Sequence, residues 1–163
     1  MTTRRADADR GAALVELGIV LPVLTMLILG MVSGGRLYDR KMNLTFAARE
    51  GARYGATLPV DQTFSSGTWA TNVRQVIVDR SNGDLTPGDV CVALVEGAPA
   101  TVYATPSPSN FSTNAGAPCF TETGSSDTGR RVQVLVRGTG TFEAMLFSRT
   151  ITMEQRAIAQ AEA

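Results

Sequence analysis

Histidine is absent from this chain of 163 residues, and Lys41 is its only lysine. Imidazole is the side chain most used for proton transfer near neutral pH and for binding zinc or copper, so its absence removes the commonest acid–base and metal chemistries. A Ser/Lys mechanism would have Lys41 alone to draw on, and no serine stands in a pattern with it. Cysteine is scarce as well. Cys91 and Cys119 are the only two, too few for a structural zinc site when no imidazole can complete the ligand set. Charge is sparse and balanced, with 15 Lys+Arg against 15 Asp+Glu. The basic residues are scattered, whereas a nucleic-acid surface gathers them on one face or stripe.

Motifs that carry chemistry are missing too. There is no Gly-x-Ser-x-Gly elbow. Gly138-Thr139-Gly140 lacks the residues that would make it a phosphate loop, so it reads as a bend. Asn82, Asp84 and Asp89 do not have the spacing of an EF-hand loop and read as polar turns. These absences together predict a protein that is not an enzyme, with no cofactor, no metal, no nucleic acid and no small-molecule substrate.

The most informative stretch lies near the start. Leu17 to Gly35, LGIVLPVLTMLILGMVSGG, carries no formal charge. Its length just suffices to cross a bilayer core, which takes roughly 20 helical residues. Ala12 to Val15 extend the run, interrupted only by Glu16, and Pro22 lies inside it. A charged leader, residues 1–11, precedes it, and Arg36, Asp39, Arg40 and Lys41 follow. A secretory signal cut near Ser33-Gly34 is one reading, but the run exceeds the usual h-region of about 7–15 residues. A plain membrane anchor is another, and it leaves Glu16 without a purpose, since a carboxylate in a membrane costs several kcal/mol unless it lies at the edge or is paired.

A third reading accounts for more of the residues. Gly11-Ala12-Ala13-Leu14-Val15-Glu16 puts a glycine directly before the apolar helix and a glutamate fifth after it. Residues four apart share a helix face, so a new α-amine on Ala12 would lie one turn from the Glu16 carboxylate. This pattern resembles the processing site of type IV pilins. Over Arg10 to Gly55 the resemblance sharpens to the TadE-like minor pilins or pseudopilins of tight-adherence pili. It is carried by GAALVE, Leu21-Pro22, Gly35-Arg36-Leu37-Tyr38 and Ala47-Ala48-Arg49-Glu50-Gly51-Ala52-Arg53. One departure is Leu17, where an aromatic residue commonly follows the glutamate. The resemblance implies cleavage between Gly11 and Ala12 by a prepilin peptidase and a role for Glu16 in subunit pairing. It further implies partners in the membrane, in other pilin or pseudopilin subunits and in the pilus assembly platform.

Residues 12–35 are thus expected to form a transmembrane helix and residues 36–57 a helical stalk, with Gly34-Gly35 as a potential hinge. Small residues recur every fourth position, with Ala47, Gly51 and Gly55 in one row and Ala48, Ala52 and Ala56 in the next. Gly30 and Gly34 form a similar pair within the apolar run. Such rows admit a closely packed neighbour, either another subunit or the chain's own C-terminal sheet.

Residues 58–163 are expected to form the exported α+β domain. Trp69, Val73, Val76 and Ile77 have the spacing of an amphipathic helix over Trp69 to Arg80, with Trp69 facing inward. Val90 to Glu96, Thr101 to Ala104, Arg131 to Arg137 and Thr150 to about Ala159 read as strands, and Phe142 to Phe147 as a helical turn or a strand crossing. Thr105 to Gly129 is dense in Pro, Ser, Thr, Asn and Gly and reads as a long surface loop. On the exported side of a membrane, Cys91 and Cys119 are a candidate disulfide, two buried free thiols being the alternative. The expected fold is a long N-terminal helix packed on a small antiparallel sheet, with one further short helix. Basic residues flank the apolar run on both sides, so the positive-inside rule does not orient it. The cysteine pair and the resemblance place the C-terminal domain outside a single-pass cytoplasmic-membrane anchor, ready to enter a surface pilus. The rival function is an anchored binding or adhesion module that contacts its target through the loop and never joins a filament.

Overall fold

In the computed structural model, residues 3–58, 66–97, 101–104, 118–122, 129–144 and 147–161 are described, with the backbone alone for 3–12, 66, 101–104 and 144. The loop expected over Thr105 to Gly129 therefore lies largely outside the described residues, as does the segment before Ser66. The elements in chain order are α1 (Thr3–Thr57), α2 (Ser66–Arg80), β1 (Val90–Glu96), β2 (Thr101–Ala104), β3 (Arg131–Ala144) and β4 (Phe147–Gln160). The architecture is α+β: one long helix, one short helix and an antiparallel sheet in the order β2-β1-β3-β4.

Helix α1 passes through Pro22 and through Gly34-Gly35 without a break. Leucine, valine, isoleucine and methionine dominate these turns, and the helix continues past the two glycines although each costs about 1 kcal/mol relative to alanine. The potential hinge is thus continuous helix. Pro22 supplies no N–H to the preceding turn, and nearby the Thr25 hydroxyl donates to the Leu21 carbonyl.

The chain divides into two compact units, residues 1–38 with 141–151 and residues 39–140 with 152–163. In the second unit β1 and the first half of β3 are buried on both faces. β1 and β3 pair antiparallel, with Val90 opposite Val136, Val92 opposite Val134 and Leu94 opposite Val132. Alternation along a strand sends these six side chains to one face. There they pack with Leu44, Ala47, Ala48, Ala52 and Ala56 of α1 and with Trp69, Ala70, Val73 and Ile77 of α2.

The intervening residues point the other way. Cys91 and Ala93 are paired with Leu135 and Gln133, and Cys91, Ala93, Val95 and Leu135 form a second cluster with Cys119 and Phe120. A Cys91–Cys119 disulfide holds residues 118–122 over this face.

Two sequence expectations are corrected here. Gly138-Thr139-Gly140 is not a bend but lies within β3. A Cβ at Gly138 would stand 2.7 Å from Leu44 Cδ1, so the glycine serves a close approach of α1 to the sheet and not a change of chain direction. Phe142 and Phe147, expected on a turn or a crossing, lie at the end of β3 and the start of β4. Only two residues separate these neighbouring strands, a connection that allows nothing but an antiparallel hairpin. The turn at Thr86 to Asp89 is a short 3-10 helix, in which both the backbone N–H and the hydroxyl of Thr86 donate to Asp89 Oδ2, at 3.1 and 2.6 Å.

Candidate functional site: the N-terminal helix and its supports

The site predicted for processing and pairing lies on the first turns of α1. Gly11 and Ala12 are helical, and their surroundings lie outside the described side chains. Glu16 follows Ala12 by four residues on the same helix and is exposed, so a helix of 3.6 residues per turn sets it about 6 Å further along the axis. Among the described residues it forms no ion pair.

The apolar side chains on either side of it are exposed as well: Leu14 at 69%, Ile19 at 69% and Met31 at 75%. Water does not tolerate a continuous apolar surface of this extent on an isolated helix. The span from Ala13 onward is long and apolar enough to cross a membrane, and none of its most apolar window is buried within the protein. Gly30 and Gly34 stand in open space, with nothing near the position of an added Cβ.

The stalk rows have a different setting. Ala47, Ala48 and Ala52 are no more than 1% exposed. A Cβ at Gly51 would overlap Ile77 Cγ1 and lie 2.5 Å from Cδ1, and one at Gly55 would lie 3.1 Å from both Val132 Cγ1 and Val73 Cγ2. Both rows thus face α2 and the sheet of the same chain. On the opposite side Phe46, Arg49, Glu50, Arg53 and Tyr54 are exposed.

The second unit is fastened by polar contacts at its edges. Arg40 Nε stands 3.1 Å from Asp84 Oδ1, tying α1 to the turn after α2. That turn carries Asn82 and Gly83 in the left-handed region, at φ 56° and 84°, the usual way for a helix end to reverse direction. Arg74, partly buried, donates from Nε to the Val90 carbonyl at 3.1 Å, and burial lowers its pKa.

On the outer sheet face Glu122 sits between Arg131 Nε, at 3.1 Å, and Gln133 Nε2, at 2.6 Å. Beside it the Arg156 guanidinium lies 5.3 Å from the centre of the Phe120 ring. Sequence reasoning missed this cluster, because residues 118–122 carry no local period and the disulfide holds them over the sheet. Among the described residues there is no group of three or more His, Cys, Asp or Glu side chains able to hold a metal ion.

Sequence reasoning also missed the contact made in the first unit by the β3–β4 hairpin. The Glu143 backbone N–H donates to Ser33 Oγ at 3.0 Å. Phe142 and Phe147, whose ring centres are 6.2 Å apart, share a groove with Val23, Met26, Leu27, Gly30 and Met31. No local signal marks Ser33 as the acceptor for an amide 110 residues away.

No curated protein and no solved structure matches the chain. Residues 11–53 match the family model described as TadE-like protein, and the match begins at the glycine that precedes the apolar run and ends within the stalk. Over this helix, from Gly11 to Arg53, the chain is similar to the TadE-like protein family.

Proposed function

We propose that this chain is a minor pilin or pseudopilin, a non-catalytic assembly subunit of a tight-adherence pilus that a prepilin peptidase processes between Gly11 and Ala12. The TadE-like segment associates it with pilin-like proteins of such pili. The observation that carries the reading is the exposed helix itself. Glu16 is the only formal charge between Gly11 and Gly35, it is exposed, and it stands one turn from the residue that cleavage would make the N-terminus. An amine paired with this carboxylate offsets much of the cost of holding either charge in a membrane or in a filament core.

The apolar run anchors the protein in the cytoplasmic membrane by one span until the assembly platform extracts it, and the helix then packs among other pilin or pseudopilin subunits. The C-terminal domain faces the extracytoplasmic side. The Cys91–Cys119 disulfide supports that orientation, because such bonds persist in oxidising compartments.

The intact mass of the protein, extracted from membranes that contain the native prepilin peptidase, tests the processing. Loss of residues 1–11, with Ala12 as the new N-terminus, is the expected result. A full-length mass would leave a permanent anchor and return the protein to the class of binding modules. Glu16→Ala should reduce incorporation into sheared surface filaments without lowering the amount in the membrane.

A further inference from the structure

We propose that the end of β3 and the start of β4 form a strap that seats on the apolar face of α1 only after the helix has left the membrane. Lipid and strap then take turns on one surface. The proposal rests on the single-span and assembly readings of α1. Phe142 and Phe147 share a groove with Val23, Met26, Leu27, Gly30 and Met31. These five positions keep the three-and-four spacing of a single helix face. They also lie inside the uncharged run from Leu17 to Gly35, which a bilayer must cover if α1 crosses it.

Lengths show that this face cannot meet both at once. With the groove reaching back to Val23, the helix left clear of the strap from Ala12 to Pro22 is about 16 Å long at 1.5 Å per residue. A hydrocarbon core is about 30 Å thick, so the clear part reaches only about half-way across. A bilayer around the whole run would have to take in the strap as well. The strap is not suited to that. Thr141, Glu143, Ser148, Arg149 and Thr150 accompany the two rings and are exposed, and charged side chains such as Glu143 and Arg149 are costly within a bilayer. β4 is the last strand in the sheet order, and an open strand edge finds no hydrogen-bonding partner in hydrocarbon.

Away from lipid the preference reverses, because the apolar face then needs another cover. The strap supplies part of one: Met26 is 37% exposed, less than any other large apolar side chain from Leu14 to Val32. The Ser33 hydroxyl accepts the Glu143 backbone N–H at 3.0 Å, which fastens the strap beside the groove while the Glu143 side chain stays exposed.

Photocross-linking in cells tests the exchange. The full chain carries p-benzoyl-phenylalanine in place of Phe147, an aromatic residue that captures neighbouring C–H bonds on illumination. A second version carries it in place of Phe142, should the change at one ring unseat the strap. A third carries it in place of Ile28, on α1 outside the groove, and reports the span by capturing lipid. Cells are illuminated, membranes and sheared surface filaments are separated, and monomer-sized bands are digested for mass spectrometry. The expected result is a link from either strap probe to residues 23–31 in filaments, with a yield lower by about tenfold or more in membranes. Equal yields in the two fractions would mean a strap seated within the bilayer, and would overturn the exchange while assembly stands. A link in neither fraction, or in membranes alone, also overturns it. If the Ile28 probe captures lipid but the unsubstituted chain never enters filaments, the assembly reading falls and the exchange falls with it. If that probe captures no lipid, the span itself is wrong and both readings fall.

Discussion

The indole Nε1 of Trp69 donates to the main-chain carbonyl of Gly55 at 3.1 Å, a buried bond from α2 to the last turn of α1. The last four carbonyls of a helix have no partner within it. Helix α1 ends at Thr57, so Gly55 offers one of these carbonyls, and Trp69 satisfies it from inside the core. The same ring fills space that the absent Cβ of Gly55 leaves open, since its Cζ2 would stand 3.2 Å from that atom.

Trp69→Phe keeps much of the ring and strands the carbonyl. It should cost about 1–3 kcal/mol, the penalty of a buried acceptor left unsatisfied. Trp69→Ala should cost about 3–5 kcal/mol. Denaturant titration of the full chain in detergent, followed by circular dichroism because the fluorophore is gone, gives both numbers.

Gly51→Ala should destabilise by about 1–3 kcal/mol, since Ile77 is fully buried where the new methyl must go. A smaller partner should relieve part of the overlap. In a double-mutant cycle with Ile77→Val, a favourable coupling is therefore expected. Strict additivity would show that the helices separate freely and that the close approach carries no strain.

Reducing the Cys91–Cys119 bond, or replacing both residues by serine, should lower stability by about 3–4 kcal/mol in the chain-entropy view. It should also uncover the outer sheet face, where Leu135 and Phe120 pack. A lower thermal midpoint under reductant, together with faster hydrogen exchange in β1 and β3, is the combined signature. An unchanged midpoint would mean that residues 118–122 stay seated by packing alone.

Two ion pairs should respond very differently to loss of their acid. Glu154 and Arg137 are 38% and 39% exposed, and Glu154→Gln should cost no more than about 1 kcal/mol, less at high salt. Glu122 and Arg131 are 10% and 5% exposed, and Glu122→Ala should cost about 3 kcal/mol because it removes a charge partner from a buried guanidinium. Thermal unfolding of the two variants at low and high salt separates these cases.

The regions with a strong local period were legible before any coordinates. The uncharged run from Leu17 to Gly35 has the length of a helical membrane span, and α1 continues through its Pro22 and its glycines. Val90 to Glu96 is a short apolar run that follows a turn, and β1 has those same limits and is buried on both faces. β3 was harder to bound. Arg131 to Arg137 alternates, but beyond it Gly138 and Gly140 resemble a break, and only the approach of Leu44 explains a glycine in a continuing strand.

The amino-acid sequence by itself determined the helix, its missing charges, the position of Glu16 relative to Gly11 and the TadE-like character of residues 11–53. All of these follow from spacing along the chain and are independent of what packs against them. Tertiary structure alone decided which neighbour fills the small-residue rows of the stalk, that Cys119 closes the outer sheet face, and that the Glu143 amide meets the apolar helix at Ser33. The reason is physical: a row of small residues specifies how near a neighbour comes but not which one, and a contact between residues 110 positions apart leaves no local period to read.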